Sequence, residues 1–254
     1  MNSRQETIVR LLQEKDEIDV GRFVKELAVS EATIRRDLSI LEEIGVLTRT
    51  FGGARLQPSG SLITRIFDKR LQEMKNEKER IALEAVKFAE PDMVVALDSG
   101  TTVWRVAVHL EEKAPLTVLT NSLTVVEELG ETEGITIHCA GGTFRREQLE
   151  FVGPSVAPLI RGFHADIAFL SVDSFIPGRG GFARDEQSAE AVKALVSCAD
   201  KSILVMDNSK FCTDGHFKAF ECGDIDTLVT DNGIEARTGK ELSKEPFDLR
   251  VVEV

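Results

Sequence analysis

Two hydrophobic periods divide the chain. Up to residue 56, apolar positions recur at helical spacing. From Arg4 to Glu14, Ile8, Val9, Leu11 and Leu12 mark a first helix. Val20 to Ala28 reads as a second, with Val20, Phe23, Val24 and Leu27 inward. Val29 and Ser30 make a tight turn. Ile34, Leu38 and Leu41 then give a third helix one buried stripe. Ser30 is its N-cap, able to accept from a backbone N–H in the first turn, and Gly45 is its C-terminal stop. Val46 to Thr50 and Ala54 to Leu56 pair as a hairpin around Gly52-Gly53, a wing beside the third helix.

Beyond residue 93 the pattern changes to apolar runs alternating with helices. Strands are expected at Met93–Leu97, Leu116–Thr120, Ile135–Ala140, Ala165–Val172, Ser202–Met206, Ile225–Thr230 and Leu249–Val252. Helices are expected at Val103–Leu110, Leu123–Leu129, Ser155–Ile160 and Asp185–Ala199. This alternation predicts an α/β fold with a mostly parallel sheet. Between the two patterns, Leu56-Gln-Pro-Ser-Gly-Ser reads as a break and Phe67 to Ala89 as a charged helical run. Its first half carries few apolar residues, and Ile81, Ala85, Phe88 and Ala89 dock the rest. The expected organisation is a winged helix-turn-helix over 1–57, a connector and hinge over 58–80, and an α/β domain over 81–254.

Charge sharpens this division. The net charge is −12, yet residues 1–58 hold 9 Lys/Arg and 10 Asp/Glu, so the acidity belongs to the remainder. Local placement of charge, not the total, governs contact with phosphates. The composition is globular, with 42% hydrophobic and 29% charged residues. No apolar run approaches the ~18 residues of a membrane span. The polar N-terminus shows no signal peptide, so a cytoplasmic protein with no membrane partner is expected. Cys139, Cys198, Cys212 and Cys222 form no Cys-x-x-Cys pair, and the histidines show no metal-ligand spacing. No metal and no cofactor are expected.

Two groups of residues carry candidate chemistry. In the third helix Thr33, Arg35 and Arg36 fall largely off the apolar stripe, near the end that enters a major groove in this motif. With Ser30 and Glu31 they form a candidate surface for double-stranded DNA, and Arg49 and Arg55 of the wing are placed to touch phosphates. Arg-Arg-Asp alone would read as a solvated face. The ordered set of helix, helix, turn, Ser-x-x-Thr-Ile-Arg-Arg-Asp-Leu, stop and wing is far more specific.

The second group follows the strands. Asp98, Ser99, Gly100, Thr101 and Thr102 lead from the first strand into a helix, where small and hydroxyl residues expose backbone N–H groups to a phosphate. Asn121 and Ser122 follow the second strand, and Gly141 and Gly142 the third. Asp173 follows the Ala165–Val172 strand, and Lys210 follows the next, placed for a phosphate or a sugar hydroxyl. Each loop alone is built of ordinary turn residues. Five in succession at strand carboxyl ends favour a binding crevice.

Residues 4–38 resemble the signature of the DeoR family of bacterial transcription regulators, through Arg4, Ile8, Leu12, Ser30, Thr33, Ile34, Arg35, Arg36, Asp37 and Leu38. Asp98-Ser-Gly-Thr-Thr, Leu119-Thr-Asn-Ser, Ala140-Gly-Gly-Thr-Phe, Phe151-Val-Gly-Pro, Ala199-Asp-Lys-Ser and Met206-Asp-Asn-Ser-Lys-Phe are similar to its effector domain. The resemblance implies a transcription regulator, expected to repress a carbohydrate catabolic operon. It also implies an effector domain similar to sugar-phosphate isomerases and a phosphorylated sugar as effector. Dimers read paired half-sites, so a homo-oligomer, dimer or tetramer, is expected. Leu170-Ser-Val-Asp-Ser-Phe departs from the glycine-rich form of many relatives, and its bulkier residues are expected to reshape the pocket and with it the choice of sugar. Two alternatives stand beside this reading. One is a regulator sensing a phosphorylated non-sugar metabolite. The other is an isomerase-like enzyme using Asp98, Asp173, Asp185, Glu186 or Lys210; no catalytic motif is complete, so no catalytic residue is assigned.

Overall fold

A computed structural model describes residues 3–15, 17–43, 46–56, 67, 69–211 and 215–254. The chain divides into two compact units, Met1–Ile66 and Phe67–Val254. Gly45, the break at 57–61 and the connector up to residue 66 lie outside the described residues.

In the first unit α1 (Ser3–Glu14), α2 (Val20–Leu27) and α3 (Glu31–Glu43) pack around Ile8, Leu12, Phe23, Ile34, Leu38 and Leu41. The hairpin strands β2 (Leu47–Thr50) and β3 (Gly53–Leu56) pair Leu47 with Leu56 and Thr50 with Gly53. A short strand absent from the sequence reading, β1 (Ile18–Asp19), adds to β3 and completes a sheet of order β1-β3-β2. Its approach explains Gly53: a Cβ there would lie 2.3 Å from the Ile18 carbonyl oxygen. Asp19 also caps α2, accepting from the Arg22 N–H at 3.0 Å. The turn into α3 is made by Ala28 with φ 52°, a left-handed conformation that costs a non-glycine residue about 1 kcal/mol. No glycine announced it.

The second unit is built on seven strands: β4 (Val94–Leu97), β5 (Leu116–Thr120), β6 (Ile135–Cys139), β9 (Ala165–Leu170), β12 (Ala199–Val205), β14 (Thr227–Asp231) and β15 (Asp248–Val252). They lie in the order β15-β14-β12-β9-β4-β5-β6 and every pairing is parallel. Alternate side chains serve two cores. Val95, Leu97, Val118, Phe169 and Val205 face one, where α4 (Lys75–Ala85), α5 (Thr101–Leu110) and α6 (Leu123–Leu129) pack. Ala96, Leu119, Ala168, Leu170 and Leu204 face the other, with α7 (Val156–Arg161) and α8 (Glu186–Cys198). The inner strands, buried on both faces, read as continuous apolar runs, while the edge strands β6 and β15 keep exposed positions.

The charged run from Phe67 to Ala89 is not one helix. Residues 67 and 69–72 are helical, Met74 turns the chain with φ 52°, and α4 begins at Lys75. The break is held by Lys78, whose Nζ donates to the carbonyls of Arg70 at 2.5 Å and Glu73 at 2.6 Å. The sequence also conceals two antiparallel additions. These are the hairpin β7 (Thr143–Arg145) and β8 (Glu150–Val152), and a small sheet of β10 (Ser174–Ile176), β11 (Gly180–Ala183) and β13 (Phe217–Phe220).

Candidate functional site

In the first unit Ser30 caps α3, its Oγ accepting from the Thr33 N–H at 3.2 Å. The capped end presents Glu31, Arg35 and Arg36 to solvent, with Thr33 half-buried. Arg35 donates from Nε to Glu31 Oε1 at 2.8 Å, an exposed pair one helical turn apart. Asp37 behaves differently. It is 3% exposed and accepts from Arg4 Nε at 2.5 Å and Gln5 Nε2 at 3.1 Å, both on α1. It therefore fastens α1 to α3.

The wing places its two arginines apart. Arg49 pairs across the hairpin with Ala54, and Arg55 with Thr48, so the arginines stand on opposite faces. Arg49 is tied back to α3, its Nη1 donating to Ser39 Oγ at 3.1 Å and its backbone N–H to Glu42 at 3.0 Å. Arg55 is exposed, as is Phe51 at the tip.

In the second unit the site follows from topology. The chain runs outward from β4 to β5 and β6, then returns to β9 on the other side of β4 and continues to β12. The order reverses between β4 and β9, and in such sheets a crevice opens there beyond the strand carboxyl ends. A small cavity occupies this place, walled by Gly100, Thr101, Thr102, Val172, Asp207 and Lys210, among others. A second recess beside it shares Arg70, Gly100 and Ser171 and adds Asp98, Ser99, Gln148, Glu150 and Asp173. Gly100 has φ 129°, and a Cβ there would lie 2.7 Å from Ser171 Oγ. Only glycine lets the β4 loop pass this close to the β9 loop. No side chain caps α5, so its first N–H groups are directed to the cavity end of the helix.

Electrostatics divide the crevice. Burial lowers the Lys210 pKa, and the nearby Arg70 charge lowers it further. On the other side, burial and then the charge of Glu150 push Asp98 up to about 7, against hydrogen bonds from the Ser171 N–H at 3.0 Å and Oγ at 2.9 Å. Glu150 is itself raised by burial, and accepts from Ser99 Oγ at 2.5 Å. Arg145 pairs with Asp185 and lies 3.5 Å from Glu150. One end is thus cationic, with a helix N-terminus, and the other is rich in acceptors, among them Gln148 Oε1, which has no partner among the described residues.

Seven expected ligand residues gather here: Asp98, Ser99, Gly100, Thr101, Thr102, Asp173 and Lys210. Four do not line either recess. Ser122 caps α6, accepting from the Val125 N–H at 3.4 Å. Asn121 is fully buried and donates to the Phe151 carbonyl at 3.0 Å, securing β8. Gly142 admits the β7–β8 hairpin, since a Cβ would lie 2.5 Å from the Val152 carbonyl oxygen, and Gly141 is exposed. Sequence reasoning missed Arg70, Lys78, Gln148 and Glu150, none of which follows a strand of the main sheet.

A helix-turn-helix unit followed by an α/β unit with a crevice at its switch point defines a DNA-binding regulator with a sensor domain. Residues 4–59 match the DeoR-like helix-turn-helix domain and residues 73–232 the DeoR C terminal sensor domain. The chain belongs to the DeoR family of transcription regulators. It is similar to transcriptional repressor AccR of Agrobacterium fabrum, at 34% identity over 91% of this chain and 89% of that one. It is also similar to the transcriptional regulator GolR of Listeria innocua, at 30% over 98% of each chain. The L-fucose operon activator of Escherichia coli is 30% identical over 90% of this chain and 94% of its own. Among solved structures, a D-ribose-5-phosphate isomerase in complex with phospho-erythronic acid aligns with a TM-score of 0.42 and 20% identity, covering 58% of this chain and 56% of that one. Among the described residues no helix is long and apolar enough to cross a membrane.

Proposed function

We propose that this regulator represses a carbohydrate-use operon and that a phosphorylated sugar in the switch-point crevice controls its hold on DNA. The observation that carries this is the division of the crevice. A phosphate suits the end with Lys210 and the α5 N-terminus, and sugar hydroxyls suit the acceptors Gln148, Asp98 and Asp173. The relatives named above are transcription regulators, two of them a repressor and an operon activator, which supports reading this chain as a regulator and not an enzyme. Ser30, Glu31, Thr33, Arg35 and Arg36 read the operator, while Arg49 and Arg55 meet its backbone. One such helix gives limited affinity, so the working form is a homo-oligomer reading paired half-sites. The ligand acts only through different affinities for two arrangements of the reading heads.

The test is fluorescence anisotropy with DNA from upstream of the protein's own operon, against scrambled DNA at the same salt, with and without a pool of sugar phosphates. Specific binding that the pool weakens supports the proposal. Specific binding released only by phosphorylated non-sugars moves the effector to that class. No preference over scrambled DNA overturns the reading.

A further inference from the structure

The crevice has a wall that the strand-end loops do not supply. Arg70, Glu73, Met74 and Lys78 line the cavity together with Thr101 and Lys210. They belong to the stretch 67–78, the first part of the second unit after the chain leaves the DNA-binding unit. Two contacts hold this stretch down. Phe67, 4% exposed, sets its ring edge-on to Trp104 of α5 with centroids 6.1 Å apart. Lys78, 5% exposed, binds the carbonyls of Arg70 and Glu73.

Lys78 is the informative residue. A buried ammonium is costly without a counter-ion, and no carboxylate of the described residues pairs with it. Burial lowers its pKa, with the charges of Lys210 and Arg70 adding to that against Asp207 and Glu73. An ammonium has three donors, and the two backbone carbonyls occupy two. Lys78 lines, with Arg70 and Lys210, a cavity whose wall also includes the uncapped N-terminus of α5 and the carboxylates of Glu73 and Asp207. Three cations against the two carboxylates leave the space net positive, which suits an anion.

We propose that Arg70 and Lys78 complete the anion site, so that the effector's phosphate is held jointly by the sensor sheet and by the stretch leading to the DNA-binding unit. This rests on reading the crevice as the effector site. A bound dianion links Lys210 and the α5 N-terminus to the carbonyl-bound ammonium of Lys78, and so tightens the 69–74 turn. Occupancy of the cavity is thereby written into the chain that joins the two units.

The experiment uses the full chain and inorganic phosphate, reading hydrogen exchange in peptides covering 69–78 and 99–104 together with Trp104 fluorescence. Phosphate is expected to slow exchange in both peptides. Lys78→Met and Arg70→Met are each expected to weaken phosphate binding about tenfold, and Lys78→Arg to restore part of it. Arg70 is more exposed than Lys78, so its variant keeps the test open if Lys78→Met fails to fold. Protection of 99–104 with no change in 69–78, and normal phosphate affinity in both variants, would overturn the proposal while leaving the crevice as the anion site. No phosphate effect on either peptide or on Trp104 would overturn both.

Discussion

Each unit buries one aspartate in the middle of its functional motif, and the two are treated differently. Asp37 of the reading helix meets a guanidinium and an amide from α1. Asp98 of the sensor loop meets only the hydroxyl and backbone groups of the neighbouring loops, with Glu150 close enough to raise its pKa. The first is a satisfied charge that fixes the placement of α1 on α3, beside arginines that stay exposed. The second is a charge kept costly beside a cavity, where whatever enters changes its surroundings. A surface that meets DNA holds its charges in solvent on a locked frame. The crevice of the sensor unit instead buries its titratable groups, Asp98, Glu150, Lys78 and Lys210 among them, away from solvent.

The largest expected effect comes from the exposed side of this contrast. Arg35→Ala or Arg36→Ala should lower operator affinity about a hundredfold or more, to the level of scrambled DNA, with ligand binding to the sensor unit as the control. Operator affinity equal to wild type in both variants would remove α3 from the interface. Next is the lock itself. Asp37→Asn keeps the shape but loses the charge that holds Arg4, and should destabilise the DNA-binding unit by about 2 kcal/mol, measured as an earlier urea transition. A transition at the wild-type position would mean that the Arg4 contact contributes nothing.

The smallest effect sharpens the other half of the comparison. Asp98 has a folded pKa of about 7 against an ordinary 3.8. Between those values the folded state holds a proton that the unfolded chain has released. The stability from this group is therefore full below its unfolded value and is lost as pH rises through about 7. The urea midpoint of the sensor unit should fall across that window, and Asp98→Asn should flatten the fall. An identical slope in the variant would show that Asp98 ionises as an ordinary carboxylate.

The same contrast decides what was legible in the sequence. The inner parallel strands read as apolar runs because both their faces are covered, the edge strands β6 and β15 less so, and the loops after the strands supply seven of the expected crevice residues. Asn121, Ser122 and Gly142 belong to such loops yet serve capping and close packing, a distinction that needs neighbours in space. Lys78 sits in Lys-Asn-Glu-Lys-Glu-Arg, a string that reads as solvated surface, and only the turn at Met74 and the packing of α4 bury it. Glu150 reaches the crevice on a hairpin whose strands are three residues each, too short to show a period. On the DNA side the reading helix was legible through its cap and its stripe, but the role of Asp37 depended on a partner 33 positions away.

The proposed coupling runs from an anion in the switch-point crevice to the hold of α3 on DNA. Its most direct test is operator anisotropy during titration with one sugar in its phosphorylated and unphosphorylated forms, in the wild type and in Lys210→Ala. The account predicts release by the phosphorylated form alone, with about ten times more needed in the variant. Release by both forms alike, or by the phosphorylated form with equal potency in the variant, would contradict it.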